Sequence, residues 1–186
     1  EAQELFPLMS TENVLAATYL PTDGYLDPSR LCYSLAKEAK RMGAKIFEQT
    51  RVTAINTKAN RVVSVTTDKG TIETEMVVAA SGLYAAEIAR MVNVRVPIVP
   101  MSHQYVVTAA FRKVERGAPR LPTLRDPDNL VYYREDGAGL VMGGYERHSA
   151  PAFLNKDLLD EVPKDFNGKL LKEDWDRLEE ISLNSA

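Results

Sequence analysis

Residues 97–111 read PIVPMSHQYVVTAAF, and after a polar loop residues 121–145 read LPTLRDPDNLVYYREDGAGLVMGGY. Apolar runs punctuated by turn residues predict antiparallel strands over 101–111, 129–134 and 139–145, the last two joined by Glu135-Asp136-Gly137. Polar side chains sit inside these runs. His103 is one of the chain's two histidines, Tyr132 and Tyr133 are adjacent, and Gly143-Gly144 lies in the last run. Titratable groups embedded in apolar strands are the first place to look for a site. Such a block, set after an alternating helix–strand region, predicts an α+β (α/β) chain with a second sheet domain grafted onto an α/β unit.

Upstream, residues 14–20 predict a short strand, and Pro21-Thr22-Asp23-Gly24 a turn. The clearest helix follows. Asp27 reads as its N-cap and Pro28 as its first position, where a missing N–H costs nothing. Leu31, Leu35, Ala36 and Ala39 form a stripe predicted to be buried, and Gly43 ends the helix. Cys32, beside Leu31, is expected to be a packed thiol rather than a nucleophile. Strands are then predicted at 44–48, 51–56, 61–67 and 71–74, with Asp68-Lys69-Gly70 as a hairpin turn. Residues 75–82 read EMVVAASG. The apolar core of that run, 76–80, predicts a strand covered on both faces, entering a helix over 84–91 through Ser81-Gly82. A small-residue turn there suits a nucleotide contact and a plain strand-to-helix turn equally. No GxGxxG occurs.

Downstream, residues 112–120 predict a charged loop and 157–167 a loop containing Pro163. A last helix from near Lys172 presents Trp175, Leu178 and Ile181 on one face. The 186 residues are 45% apolar and 26% charged, as in a globular chain. A net charge of -3 without a basic tract argues against a nucleic-acid partner, and no apolar run reaches the length of a membrane span. One cysteine forms no internal disulfide, and two histidines without cysteine spacing make no zinc site, so no metal is expected. Both ends read as interior sequence of a longer protein.

The segments GYLDPSRLCYSLAKEAKRMGAKIFEQTRVTAI, TDKGTIETEMVVAASGLYAAEIARM, VPIVPMSHQYVVT and LPTLRDPDNLVYYREDGAGLVMGGYE, with the tail VPKDFNGKLLKEDWDRLEEI, form one collinear set. That set resembles the FAD-dependent amine oxidoreductases of the D-amino-acid oxidase superfamily. Within it the chain is most similar to the dimethylglycine dehydrogenase/oxidase and sarcosine dehydrogenase group. The resemblance implies a glutathione-reductase-like FAD domain interleaved with an antiparallel β-sheet substrate domain. On that basis residues 1–21 are a connecting or substrate-domain segment and 22–92 part of the FAD domain. Residues 93–150 are then the substrate-binding sheet, and 151–186 a polar loop with a terminal amphipathic helix.

The same resemblance assigns residues. Val52, at the Arg51-Val52 step, falls where the family backbone meets the adenine of FAD, although a valine entering a strand also reads as an ordinary strand residue. Ser81 and Gly82 fall on the small-residue turn beside FAD, and Ser81 departs from the usual alanine. His103 falls on the histidine of an HQY motif near the substrate amine. Tyr132, first tyrosine of VYYRE, falls on the tyrosine over flavin and substrate, which gives it both a catalytic and a cofactor role. Tyr133 is expected to pack on the opposite sheet face. Arg134 reads as a carboxylate ligand or a surface salt bridge, with the salt bridge favoured. Gly143-Gly144 marks close approach to flavin or a bulge. His148 reads as a solvated loop residue.

The implied activity is oxidative demethylation of an N-methyl amine by transfer from the N-methyl carbon to FAD, that is, an amine dehydrogenase or oxidase acting on CH–NH. The alternatives are a non-catalytic regulatory relative of the same family and a fragment without independent activity. The expected partner is a small methylated amine, with no nucleic acid and no membrane. The resemblance admits a homo-oligomer and folate-binding domains C-terminal to this segment in a longer chain. It implies the bacterial cytoplasm or the mitochondrial matrix.

Overall fold

A computed structural model describes residues 1–185 except 112, 114–118, 156–157 and 160–161. Most of the predicted charged loop at 112–120, and residues 157, 160 and 161 of the predicted loop at 157–167, lie outside the described residues. The helices are α1 (Ala2–Leu5), α2 (Pro28–Arg41), α3 (Ala85–Arg90) and α4 (Trp175–Leu183), and a 3-10 turn, Gly82–Tyr84, leads into α3. The strands are β1 (Val52–Lys58), β2 (Arg61–Thr67), β3 (Gly70–Glu73), β4 (Tyr105–Val107), β5 (Leu124–Asp126), β6 (Val131–Asp136), β7 (Gly139–Gly144), β8 (Leu154–Asn155) and β9 (Leu158–Leu159). The chain is therefore mixed α+β with antiparallel sheets. It divides into two compact units, one of residues 1–28, 102–150 and 170–186, the other of 29–101 and 151–169. Among the described residues no helix is long and apolar enough to cross a membrane.

The first unit is a four-stranded sheet in the order β4-β7-β6-β5. Alternation along each strand gives it two chemically different faces. Val106, Val131, Tyr133 and Met142 point to one face, where Leu178 and Ile181 of α4 cover them. Val131 is 1% exposed and Ile181 3% exposed, and each such side chain contributes about 1.5–3 kcal/mol relative to exposure. Phe6, just past α1, adds its ring to the same face at 6.5 Å from Tyr133. Asp174 caps α4, its Oδ1 accepting the Arg177 N–H at 3.2 Å. Gly144 lies beneath α4, where a Cβ would come within 2.4 Å of Ile181.

β4 is shorter than the predicted 101–111 strand. Past Val107 the Thr108 hydroxyl accepts the Leu140 N–H at 2.9 Å, so a side chain replaces the backbone carbonyl and the regular ladder stops. The Gly143-Gly144 pair is not a bulge, because β6 and β7 pair in unbroken register from Val131↔Gly144 to Asp136↔Gly139.

In the second unit β1, β2 and β3 form the expected meander, with β1 and β3 as its edges. The β1–β2 turn uses Ala59 and Asn60 at φ 49 and 59, the left-handed geometry that matches strand twist. Asp68 fills the β2–β3 turn and also holds the entry to β1: its Oδ1 accepts the Arg51 N–H, and its own N–H donates to the Arg51 carbonyl, both at 3.0 Å. Tyr84 ties the turn before α3 to the 163–166 segment, donating to the carbonyls of Pro163 at 3.2 Å and Phe166 at 2.9 Å.

Three predicted strands, 14–20, 44–48 and 76–80, form no regular secondary structure and pair with no other strand among the described residues. Val78 is 80% exposed rather than covered. An extended run becomes a strand only where a second backbone takes up its N–H and C=O groups. Helix α2 starts at Pro28 as expected and closes through Gly43, whose N–H meets the Lys40 carbonyl while Ala44 N–H meets that of Ala39, both at 3.0 Å. Its stripe is not buried, however. Leu35 is 62% exposed and Cys32 is exposed, which corrects the expectation of a packed thiol: no described element covers that face.

Candidate functional site

The face of the four-stranded sheet opposite α4 carries the polar side chains. Cross-strand register lines up Arg125 (β5), Tyr132 (β6), Gly143 (β7) and Tyr105 (β4) in one row. His103 and Tyr145 lie two residues beyond Tyr105 and Gly143, so alternation returns them to this face. The rings meet there. Tyr145 is 6.0 Å from His103 and 5.6 Å from Tyr132, centroid to centroid. The Arg125 guanidinium stands 4.8 Å over the Tyr145 ring and donates through Nη2 to its hydroxyl.

Tyr132 lies across Gly143, where a Cβ would sit 2.2 Å from its Cζ and Oη. The glycine is thus occupied by a neighbouring ring of the same sheet, as Gly144 is by Ile181. Partial burial, with the neighbouring Tyr145 phenol, pushes the Tyr132 hydroxyl above the usual range for a phenol. Tyr132 therefore presents a neutral hydroxyl, able to donate or accept, near neutral pH.

His103 and Tyr132 are brought to one face, joined through Tyr145. Sequence reasoning did not single out Tyr145 or Arg125. The signal for both was the register, which becomes visible only once β5, β6 and β7 are paired. Tyr133 packs on the opposite face as expected. Arg134 is paired with Asp136 at 3.5 Å and stands 5.4 Å from the Tyr25 ring centroid. His148 is exposed.

The second unit carries a separate feature. At the entry to β1 an open cleft of about 420 Å³ is lined by Arg51, Val52, Thr53, Glu87, Arg90, Met91 and Lys164. Glu87 is committed on both sides, at 3.7 Å from Arg51 and accepting the Val162 N–H at 3.1 Å. Three cations against one carboxylate leave the cleft net positive, which suits an anionic ligand. Val52 lines this cleft from an edge strand. Ser81 and Gly82 are not among the residues lining this cleft. Gly82 takes φ +54, a conformation glycine adopts without strain, and open space surrounds its Cβ position. Ser81 Oγ is buried and has no hydrogen-bond partner among the described residues. An orphaned buried hydroxyl, an open glycine turn and a positive cleft are compatible with a bound dinucleotide.

Comparison with known proteins agrees. The family profile described as FAD dependent oxidoreductase matches residues 1–182. Human mitochondrial dimethylglycine dehydrogenase is 34% identical over 178 residues, which is 96% of this chain and 21% of that protein. Mouse mitochondrial sarcosine dehydrogenase is 37% identical over 181 residues, 95% of this chain and 18% of that protein. The crystal structure of L-proline dehydrogenase from P. horikoshii superposes with a TM-score of 0.76 at 28% identity, covering 98% of this chain and 44% of that one. The chain thus spans about a fifth of the length of these curated relatives. A profile match along nearly the whole chain, with relatives above 30% identity, settles the family: the chain belongs to the FAD-dependent oxidoreductases, and FAD is their cofactor.

Proposed function

We propose that this chain is part of a flavoenzyme that oxidatively demethylates a small N-methyl amine of the dimethylglycine or sarcosine type, acting on its CH–NH group. The observation that carries this reading is the convergence of His103, Tyr132, Tyr145 and Arg125 on the face of the four-stranded sheet opposite α4. The similarity to dimethylglycine and sarcosine dehydrogenases supports the substrate class.

Each side chain has a task in that reaction. The amine must lose its ammonium proton, because its lone pair stabilises the iminium cation that forms on oxidation. Imidazole is the side chain that exchanges protons near neutral pH, so His103 takes or relays this one. The neutral Tyr132 hydroxyl orients the amine. The rings of Tyr132 and Tyr145 offer π faces to the developing cation. Arg125 supplies a guanidinium for the carboxylate that glycine-derived amines carry. Bound FAD supplies the two-electron acceptor.

In the second unit, Val52 and the positive cleft would contact the nucleotide portion of FAD, and Ser81 with Gly82 would line its approach. Residues 22–92 then contribute to a glutathione-reductase-like FAD domain and 93–150 to the substrate sheet. The setting implied is the mitochondrial matrix or the bacterial cytoplasm. A homo-oligomer and C-terminal folate-binding domains are compatible with it.

The test is kinetic. His103→Ala and Tyr132→Phe in the FAD-loaded protein are expected to lower kcat/KM for dimethylglycine or sarcosine by about 10²-fold or more for the histidine and less for the tyrosine. Unchanged kcat/KM in both variants would sink the assignment.

A further inference from the structure

The ladder between β4 and β7 ends at Tyr105↔Gly143. The same register carried on places His103 opposite Tyr145, and one step further Ser102 opposite Glu146. His103 and Tyr145 therefore stand just past the last paired residues of their strands, where no β4–β7 pairing fixes their separation. Backbone bonds from the Ser102 N–H to the Ala150 carbonyl at 2.8 Å and from the Tyr145 N–H to the Leu130 carbonyl at 2.7 Å anchor each segment separately, so the ring contact at 6.0 Å calls for a link between the two.

Arg177 of α4 provides one. Its Nη1 donates to Ser102 Oγ at 2.9 Å, and its Nη2 donates to the Ser102 carbonyl at 3.2 Å and to Glu146 Oε2. One planar guanidinium thus joins the residue preceding His103 to the residue following Tyr145. The Glu146 side chain is 6% exposed and that of Arg177 23%, so the pair is largely shielded from water and its geometry is held tightly. On the other side of His103, Gln104 Oε1 accepts the Asp174 N–H at 2.9 Å. Both neighbours of His103 are thereby pinned by the N-terminal end of α4.

We propose that Arg177 is a positioning residue that holds His103 against Tyr145 for amine deprotonation, acting through Ser102 and Glu146. This inference rests on the reading of His103 given above. Lysine keeps the charge but lacks the planar fork that reaches two partners at once. Arg177→Lys should therefore loosen the clamp while leaving a cation beside buried Glu146.

The experiment measures kcat and KM for dimethylglycine in the FAD-loaded protein for Arg177→Lys, His103→Ala and the double variant. Arg177→Lys is expected to lower kcat/KM by about tenfold to a hundredfold, mostly in kcat. That loss should vanish in the His103→Ala background, because the clamp works only through the imidazole. The nuclear Overhauser contact between the His103 and Tyr145 rings should weaken in Arg177→Lys, an effect independent of turnover. Should Arg177→Lys fold poorly, Ser102→Ala removes the hydroxyl that accepts from Arg177 Nη1 and donates to the Ala150 carbonyl, and is expected to act in the same direction, less strongly. Wild-type kcat/KM in Arg177→Lys or, where that variant folds poorly, in Ser102→Ala overturns the clamp. So does a loss that persists undiminished without His103. Wild-type kcat/KM in His103→Ala alone overturns the role of His103 itself, and the clamp with it.

Discussion

The Tyr132 ring of β6 reaches across the bare Cα of Gly143 on β7, so close that a methyl there would sit 2.2 Å from the phenol's Cζ and Oη. The two are cross-strand partners in regular register. Glycine is what lets the ring lie there, and the ring's position sets its 5.6 Å contact with Tyr145. Gly143→Ala must push the ring off the sheet. It should cost about 1–3 kcal/mol of stability by urea denaturation and reduce kcat/KM for dimethylglycine by about tenfold or more. A variant equal to wild type in both would show that the ring's placement is immaterial.

The raised pKa of Tyr132 gives a pH prediction. Its cause is burial first, with the neighbouring Tyr145 adding to it. Below the ordinary phenol pKa the hydroxyl is protonated in both the folded and the unfolded chain, and its contribution is fully present. Above it the unfolded chain ionises while the folded one resists, so stability falls as pH rises through the folded value. Urea midpoints measured from neutral to strongly alkaline pH should decline less steeply in Tyr132→Phe than in wild type. Parallel declines would contradict the burial of this hydroxyl.

The cleft at Val52 is testable by charge. Arg90→Glu replaces one of its three cations with an anion facing Glu87. FAD dissociation measured by flavin fluorescence should weaken by about tenfold or more at low salt, and less at high salt. Unchanged affinity at both salt concentrations would remove the cleft from the cofactor site.

These features differ in how far the sequence reveals them. The meander was legible because its strands alternate and the Asp68-Lys69-Gly70 turn is local, whereas the left-handed Ala59-Asn60 turn shows only in the structure. Helix α2 was legible for the same reason, from Pro28 at one end to Gly43 at the other. Residues 14–20, 44–48 and 76–80 read equally well as strands, yet pairing is non-local, and no described strand meets them. The site divides in the same way. His103 and Tyr132 are assigned through family resemblance. Tyr145 and Arg125 reach them only through register, and Arg177 meets Ser102 across 75 residues of chain. The Gly143-Gly144 pair announced a close approach, but its partners, Tyr132 and Ile181, could not be read from a dipeptide.

We propose centrally that the sheet face opposite α4 serves flavin-dependent oxidation of an N-methyl amine. The most direct test is anaerobic mixing of the FAD-loaded protein with excess dimethylglycine or sarcosine, followed through the flavin's visible absorbance. The account predicts that the oxidised band bleaches in the wild type, with formaldehyde released on hydrolysis of the product, and bleaches far more slowly in His103→Ala. A flavin that stays fully oxidised with both amines would contradict it and identify a flavin-binding relative without this activity.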